Sequence, residues 1–158
     1  MSLPRNISHH LKEKHGIKVL TTSGVSGGSI NHAVRVKTES GDLFVKYNSK
    51  APDDFFEKEA EGLALLKSAN SDIRIPNVIA QERPVKEMPG YLVLEFIESG
   101  SSGDSEAFGR SLAMLHQTDQ KTFGLSHDNY IGSLPQSNKS HSKWARFFSE
   151  ERIKPQLK

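Results

Sequence analysis

At 158 residues the chain has room for one compact domain, or for a small lobe plus part of a second, with a real core. Lys and Arg total 21 against 19 Asp and Glu, a formal charge of +2 that gives no electrostatic case for a nucleic-acid or anionic-membrane partner. With no Cys, disulfides, thiolate metal sites and a Cys nucleophile are excluded. No apolar run approaches the eighteen or so residues of a membrane span. The longest, Tyr91 to Ile97, is interrupted by Glu95. MSLPRNISHH has no apolar signal-peptide core, so the expectation is a cytoplasmic protein.

In chain order, NISHHLKEKH from Asn6 to His15 predicts a short polar helix that Gly16 ends, peripheral because Ile7 and Leu11 are almost its only apolar residues. A strand-like stretch from Ile17 to Thr22 and another from Ile30 to Lys37 flank the glycine-rich SGVSGGS, and LFVKYN beyond Gly41 and Asp42 reads as a third strand. Ala51 to Asp54 form a helix start, with Pro and acidic residues where the helix dipole favours them. In FFEKEAEGLALLKSA, the residues Phe56, Ala60, Leu63 and Leu66 predict a buried stripe, leaving Glu57, Lys58, Glu61 and Lys67 wet. NVIAQER and YLVLEFI read as two more strands around a PVKEMPG turn. ESGSSGDS is a linker, after which Asp104 caps an amphipathic helix from Glu106 to Gln117 bearing Phe108, Leu112 and Leu115. A long irregular segment then leads to a final helix, KWARFFSEERI, with Trp144, Phe147 and Phe148 on one face as core residues.

Gly24, Gly27 and Gly28 fit neither G-x-G-x-x-G nor G-K-[ST], and a strand follows them, so dinucleotide-fold and Walker-type sites are excluded. Such a loop is either an ordinary hairpin or a cradle of backbone N–H groups for phosphate. Lys46 favours the second. It sits mid-strand among Leu43, Phe44, Val45 and Tyr47, where an ammonium needs an anionic partner. Glu59, beside the Phe56–Ala60–Leu63 stripe, is placed to supply it, whereas Glu57 and Glu61 lean outward. YLVLEFIES runs a buried strand into a connector, the arrangement in which a kinase hinge offers main-chain groups to adenine. The histidines His9, His10 and His15 read as solvated, His116 as a packed structural residue, and Asp128 as a turn cap as readily as an acid or base. The glycosylation triplets at Asn6 and Asn138 carry little weight.

These blocks together resemble the N-terminal half of a fructosamine kinase (ketosamine 3-kinase), a family with the protein-kinase-like fold. VSGGSINHAVRVKTESGDLFVK resembles the family's glycine loop and lysine strand, FFEKEAEGLALL its Glu-bearing helix, and YLVLEFIE its hinge. LAMLHQ, FGLSHDNYIGSLPQSN and WARFFSEERIKPQL resemble the entry to the second lobe, a characteristic loop and the helix after it. DNYIG followed by W-x-x-F-F is the most discriminating pair. The resemblance implies an α+β fold: a kinase-like N-lobe, with a five-stranded antiparallel sheet and one packed helix, then the first helices of an incomplete helical C-lobe. The expected boundaries are 1–97 for the nucleotide-binding lobe, 98–105 for the linker and 106–158 for the start of the C-lobe.

The resemblance further implies ATP-dependent phosphorylation of the 3-hydroxyl of a ketosamine, which supports protein deglycation. Lys46 would hold phosphates and Glu59 would orient it; Gly27, Gly28, Ser29 and Ile30 would cover the phosphates, and Glu95, Phe96 and Ile97 would offer hinge backbone. His127, Asp128, Asn129 and Tyr130 would lie near the sugar. The expected partners are ATP with Mg²⁺ and a fructosyl-lysine-type ketosamine, with no nucleic acid or membrane, and with self-association through an aromatic face around Trp144. Departures are Val34 where an aromatic is common, Ser29 where some relatives carry Cys, and the absence of H-G-D-L-W-x-G-N and of the later metal-binding Asp. Both of those motifs, the catalytic Asp included, are expected beyond Lys158. Without them the residues up to Lys158 hold neither a base nor Mg²⁺ ligands, so no catalytic residue is assigned and the chain alone is expected to be inactive. The alternatives are a truncated product that binds nucleotide or a partner without catalysis, and a small-molecule phosphotransferase of the aminoglycoside or choline kinase type.

Overall fold

The computed structural model describes residues 2–26, 30–69, 71–100 and 103–157. Its centre is a five-stranded antiparallel sheet in the order β1-β2-β3-β5-β4, built from β1 (Thr21–Gly24), β2 (His32–Thr38), β3 (Gly41–Asn48), β4 (Val78–Glu82) and β5 (Gly90–Glu95). Side chains alternate across a strand, so the register assigns each face its own core. Val34, Val45 and Val93 align across three strands and share one face with Val36, Tyr47 and Tyr91. Phe44, Leu92 and Leu94 point to the other. β5 is buried on both faces from Tyr91 to Leu94, which is why YLVL reads as an unbroken apolar run.

A helix covers each face. α1 (Arg5–His15) lies on the valine face, where Ile7 and Leu11 are fully buried together with Leu3. The helix expected to be peripheral is therefore part of the core: two apolar residues at i and i+4 make a stripe narrow enough to look solvated yet sufficient to seal the sheet. Gly16 ends it as expected, with the Gly16 and Ile17 amides donating to the Lys12 and Leu11 carbonyls at 3.1 and 3.0 Å. α2 (Phe55–Ser68) covers the opposite face through Phe55, Phe56, Ala60 and Leu63. Leu65 and Leu66 remain exposed at 48% and 42%, so the expected stripe stops one turn early.

Beyond the sheet, α3 (Ser105–His116) starts at the expected cap, Asp104 accepting from the Glu106 and Ala107 amides at 2.9 and 3.2 Å. On its apolar side Leu112 and Leu115 are half-buried while Phe108 is 61% exposed, and His116 is exposed rather than packed. A short hairpin, β6 (Asn129–Ile131) and β7 (Leu134–Gln136), returns to α2. The last helix is not uniform: α4 (Trp144–Phe148) passes into a π-helical turn, Ser149–Ile153, and a 3₁₀ turn, Lys154–Leu157. Phe147 alone of its aromatic trio is buried; Trp144 and Phe148 stack outside at 5.4 Å between ring centroids. Among the described residues no helix is long and apolar enough to cross a membrane.

Candidate nucleotide and substrate site

Lys46 is opposite Ala33 of β2 and Leu92 of β5, on the face of β3 that α2 covers. Its ammonium is ion-paired with Glu59, one turn into α2, and both side chains are largely withdrawn from solvent. The pairing follows from the helix: Phe56, Ala60 and Leu63 fix the rotation that packs α2 on the sheet, and Glu59 lies on the edge of that face. A cleft of about 400 Å³ opens beside the pair, bordered by β3, α2 and the tip of the β6–β7 hairpin. Ile30, Asn31, Lys46, Glu59, Asn129 and Tyr130 all reach it. Gly27, Gly28 and Ser29 of the glycine loop lie outside the described residues, as does Lys158.

The hairpin is held against α2 by polar contacts. Tyr130 donates its hydroxyl to Asp54 at 2.5 Å and packs its ring on Phe55 at 5.2 Å. Donation to a carboxylate, then burial, pushes the Tyr130 phenol up to about 12. At the hairpin tip Gly132 has φ +64°, and a Cβ there would come within 3.1 Å of Ile30. The end of the glycine-loop segment and the hairpin therefore touch at the mouth of the cleft.

A second cavity, of about 940 Å³, lies on the other flank of α2, between it, the end of α3 and the loop from Thr118 to Ser140. It is the larger of the two, yet neither Lys46 nor Glu59 borders it. Lys58, Gly62, Leu66 and Asn129 line both cavities, so this stretch of α2 forms the ridge between them. Glu61 leans outward as expected, with its side chain 39% exposed, and borders the larger cavity, where it accepts from Lys58 at 3.0 Å and pairs with His127 Nε2 at 2.8 Å. The helical pattern alone missed this contact, because its partner comes from a loop 66 positions later that no periodicity places.

The four loop residues thus divide. Tyr130 reaches the cleft of Lys46, Asn129 borders both cavities, and His127 borders the larger one. The Asp128 carboxylate accepts from the Asn138 backbone N–H at 2.8 Å, tying the loop across ten positions rather than capping a turn. Asn138 is 2% exposed and ties the loop together, donating to the His127 carbonyl at 3.2 Å and to Asn129 Oδ1 at 2.8 Å while accepting from Arg152 at 2.5 Å. Its side chain is thereby closed to the glycosylation that its triplet suggested.

Glu95, Phe96 and Ile97 border neither of these two cavities. The Glu95 carboxylate is ion-paired with Arg74 and accepts from Asn77 Nδ2 at 2.7 Å. The Arg74 hydrogen bond first, and the Asn77 amide second, hold its carboxyl below the usual range. Phe96 lies under the Arg35 guanidinium at 4.3 Å, and Arg35 also binds Asp42 and Glu98. The end of β5 and the residue after it therefore each meet an arginine, Arg74 at Glu95 and Arg35 at Phe96.

Comparison with known proteins agrees with this architecture. The fructosamine kinase family model matches residues 3–158. The chain is 39% identical over 153 residues to the protein-ribulosamine 3-kinase, chloroplastic, of Oryza sativa subsp. indica, covering 93% of this chain and 43% of that protein. It is 37% identical over 154 residues to the protein of the same name from Arabidopsis thaliana, covering 94% and 46%. Among solved structures, one from Haemophilus somnus 129PT and one from Thermobifida fusca YX-ER1, both provisionally assigned as fructosamine-3-kinases, superpose with TM-scores of 0.81. They are 31% and 29% identical to this chain; the matches cover 96% and 98% of it, and 52% and 54% of theirs. The chain spans less than half the length of these curated relatives. With the family model matched along almost its whole length, a kinase-like lobe built around Lys46 and Glu59, and superposable neighbours, the chain belongs to the fructosamine kinase family.

Proposed function

We propose that this chain is the nucleotide-binding half of a ketosamine 3-kinase, which phosphorylates the 3-hydroxyl of small or protein-bound ketosamines and so promotes their removal from amines. The observation that carries the reading is the Lys46–Glu59 ion pair at the wall of a cleft bordered by the β6–β7 hairpin. The cleft has a volume within the range of small-molecule sites and offers one cation on a rigid strand. Those features fit a phosphate. They do not fit Mg²⁺, which needs uncommitted oxygen ligands: Glu59 is engaged by Lys46, and Asp54, near the cleft, by Tyr130.

ATP, when bound, supplies the transferable phosphoryl group. In this reading Lys46 binds phosphate oxygens, and Glu59 keeps the ammonium from folding back onto the sheet. Gly27, Gly28, Ser29 and Ile30 cover the phosphates, and the backbone of Glu95 to Ile97 meets the base. Asn129 and Tyr130 border the sugar side of the cleft, with His127 and Asp128 shaping the loop that carries them. The base and the Mg²⁺ ligands are assigned to the further length that the relatives have, so the 158 residues alone hold a nucleotide clamp without turnover.

The test pairs binding with transfer. Calorimetry should detect MgATP on the chain, weakly, and Lys46→Ala should remove it. Labelled phosphate should pass from ATP to ribulosyl-lysine or fructosyl-lysine only when these residues are joined, after Lys158, to the C-terminal half of the rice relative. Transfer by the 158-residue chain itself, purified free of host kinases, would overturn the division of labour. A folded hybrid that binds MgATP but is inactive on both ketosamines would overturn the substrate class and leave the nucleotide clamp.

A further inference from the structure

On the opposite face of the sheet from Lys46, α1 meets the edge strand β4 through a polar cluster that the kinase reading does not use. His10 and His15 of α1 and Glu82 of β4 each offer one ligand atom, and the three atoms lie within 4.8 Å of one another. All three residues are half-buried. His15 Nε2 is 3.2 Å from Glu82 Oε1. The His10 ring meets that of His15 edge to face, 6.1 Å between centroids, and its Nδ1 shares a hydrogen bond of 2.8 Å with the hydroxyl of Tyr91. Tyr91 is fully buried in β5, so its hydroxyl is a fixed point that orients the His10 ring.

We propose that His10, His15 and Glu82 form a binding site for a divalent transition-metal ion of the Zn²⁺ class, which pins α1 to β4. Two imidazoles and one carboxylate are a zinc-type donor set, with a fourth position open to water. The same set is poor for Mg²⁺ or Ca²⁺, which select oxygen ligands. With Nε2 of His10 as the ligand atom, its Nδ1 keeps the Tyr91 hydroxyl, the kind of outer contact that fixes ring orientation and raises affinity. Ligand atoms around Zn²⁺ stand roughly 3.3 Å apart, so atoms now within 4.8 Å of one another need approach by no more than about 1.5 Å, within reach of side-chain rotation. One group competes: Lys14 Nζ is 2.5 Å from Glu82 Oε1. Lys14 is 54% exposed, and an ion pair of that kind is weak enough for a divalent cation to displace it into solvent. Because the ligands join the N-terminal helix to a strand 67 positions later, an ion bound only by the folded chain raises its stability by mass action.

The EDTA-stripped 158-residue chain is titrated with ZnCl2 by calorimetry, and its melting temperature is followed with and without the metal. The expected result is one Zn²⁺ per chain, a higher Tm that EDTA reverses, and no such effect of MgCl2. His10→Ala and His15→Ala should each weaken binding at least about tenfold, with Tyr91→Phe weakening it by about the same factor while keeping the core filled. His9→Ala, exposed on the same helix, should leave it unchanged. CoCl2 should give the visible spectrum of a four- or five-coordinate site in the parent chain and not in His15→Ala. No binding at a hundredfold excess, roughly, of ZnCl2 would overturn the proposal. So would zinc affinity that is the same in folded His10→Ala and His15→Ala as in the parent, since the ion would then sit on other histidines.

Discussion

The Tyr130 hydroxyl donates to Asp54 Oδ1 at 2.5 Å, across 76 positions of sequence, and joins the β6–β7 hairpin to the residue that precedes α2. Asp54 makes no side-chain cap to its own helix, so its carboxylate is spent on the hairpin instead. The contact restrains the start of the helix that carries Glu59 with the residue that borders the cleft of Lys46. Asp54 and Glu59 are five residues apart, so the contact lies within about a turn and a half of the ion pair.

Tyr130→Phe keeps the ring against Phe55 and deletes only the donation to Asp54. A partly buried hydrogen bond to a carboxylate predicts a loss of about 1 kcal/mol, read from urea unfolding. Because the contact restrains the start of α2, MgATP affinity should fall as well. An unchanged affinity beside the stability loss would make the contact purely structural.

All three tyrosines of the chain have raised phenol pKa values in the folded state. Burial raises Tyr47; burial first and Glu82 second raise Tyr91; the Asp54 hydrogen bond first and burial second raise Tyr130 to about 12, from an ordinary 10.0. A group with a raised folded-state pKa contributes stability that is complete below the unfolded value and is lost as pH climbs through the folded one. The chain should thus be insensitive to tyrosine ionisation below pH 10.0 and lose stability above it. Spectrophotometric titration should show the tyrosinate band rising together with loss of circular dichroism. A phenol that ionises near 10.0 in a chain of native ellipticity would contradict the packing of that residue.

The Lys46–Glu59 pair is partly open to water, with side-chain exposures of 19% and 28%, so its stability value is modest, and in the proposed function its weight lies in nucleotide binding. Lys46→Met should cost about 1 kcal/mol or less in thermal unfolding, because the freed Glu59 can rehydrate. The same variant should abolish detectable MgATP binding. Glu59→Gln should retain the fold and weaken binding less than Lys46→Met does, since it removes the orienting charge and keeps the ammonium. Equal losses in the two variants would mean that Glu59 acts on the nucleotide directly.

Local chemistry made the strands, the face of α2 beside Glu59, the need of Lys46 for an anionic partner and the cap at Asp104 legible in the sequence, because each is set by neighbours within one strand or helix turn. The five-stranded sheet itself was implied by the family resemblance. YLVL reads as a buried strand, which the structure buries on both faces, and the Phe56–Ala60–Leu63 stripe fixes the rotation that aims Glu59 at Lys46. What stayed hidden depends on distant partners. His10, Glu61 and Asp54 look like solvated polar residues in sequence, and each is claimed by a group 66 to 81 positions away. Trp144 and Phe148 misled in the opposite sense: helical spacing grouped them with Phe147, yet the cover that would bury them is not supplied by the described residues.

The loop from Thr118 to Ser140 should prove rigid, and Gly124 is the place to test it. Gly124 has φ +134°, a conformation that L side chains rarely adopt, and a Cβ there would stand 2.6 Å from the Asn138 carbonyl oxygen and 2.8 Å from that of Lys139. Both obstacles are backbone, so neither can rotate away. The Leu125 amide donates to that same Asn138 carbonyl at 3.0 Å, while the Asn138 side chain gathers His127, Asn129 and Arg152. Gly124→Ala should therefore cost about 2 to 4 kcal/mol and displace the whole segment. Asn138→Ala, which leaves buried donors and acceptors unpaired, should cost about 2 kcal/mol. The single Trp144, 5.8 Å from Phe123 between ring centroids, reports on it: both variants should shift its emission before global unfolding, which circular dichroism follows separately. Parent-like stability and emission in Gly124→Ala would show that the loop yields to the added methyl, and that Asn129 and Tyr130 are not held in the cleft by this clasp.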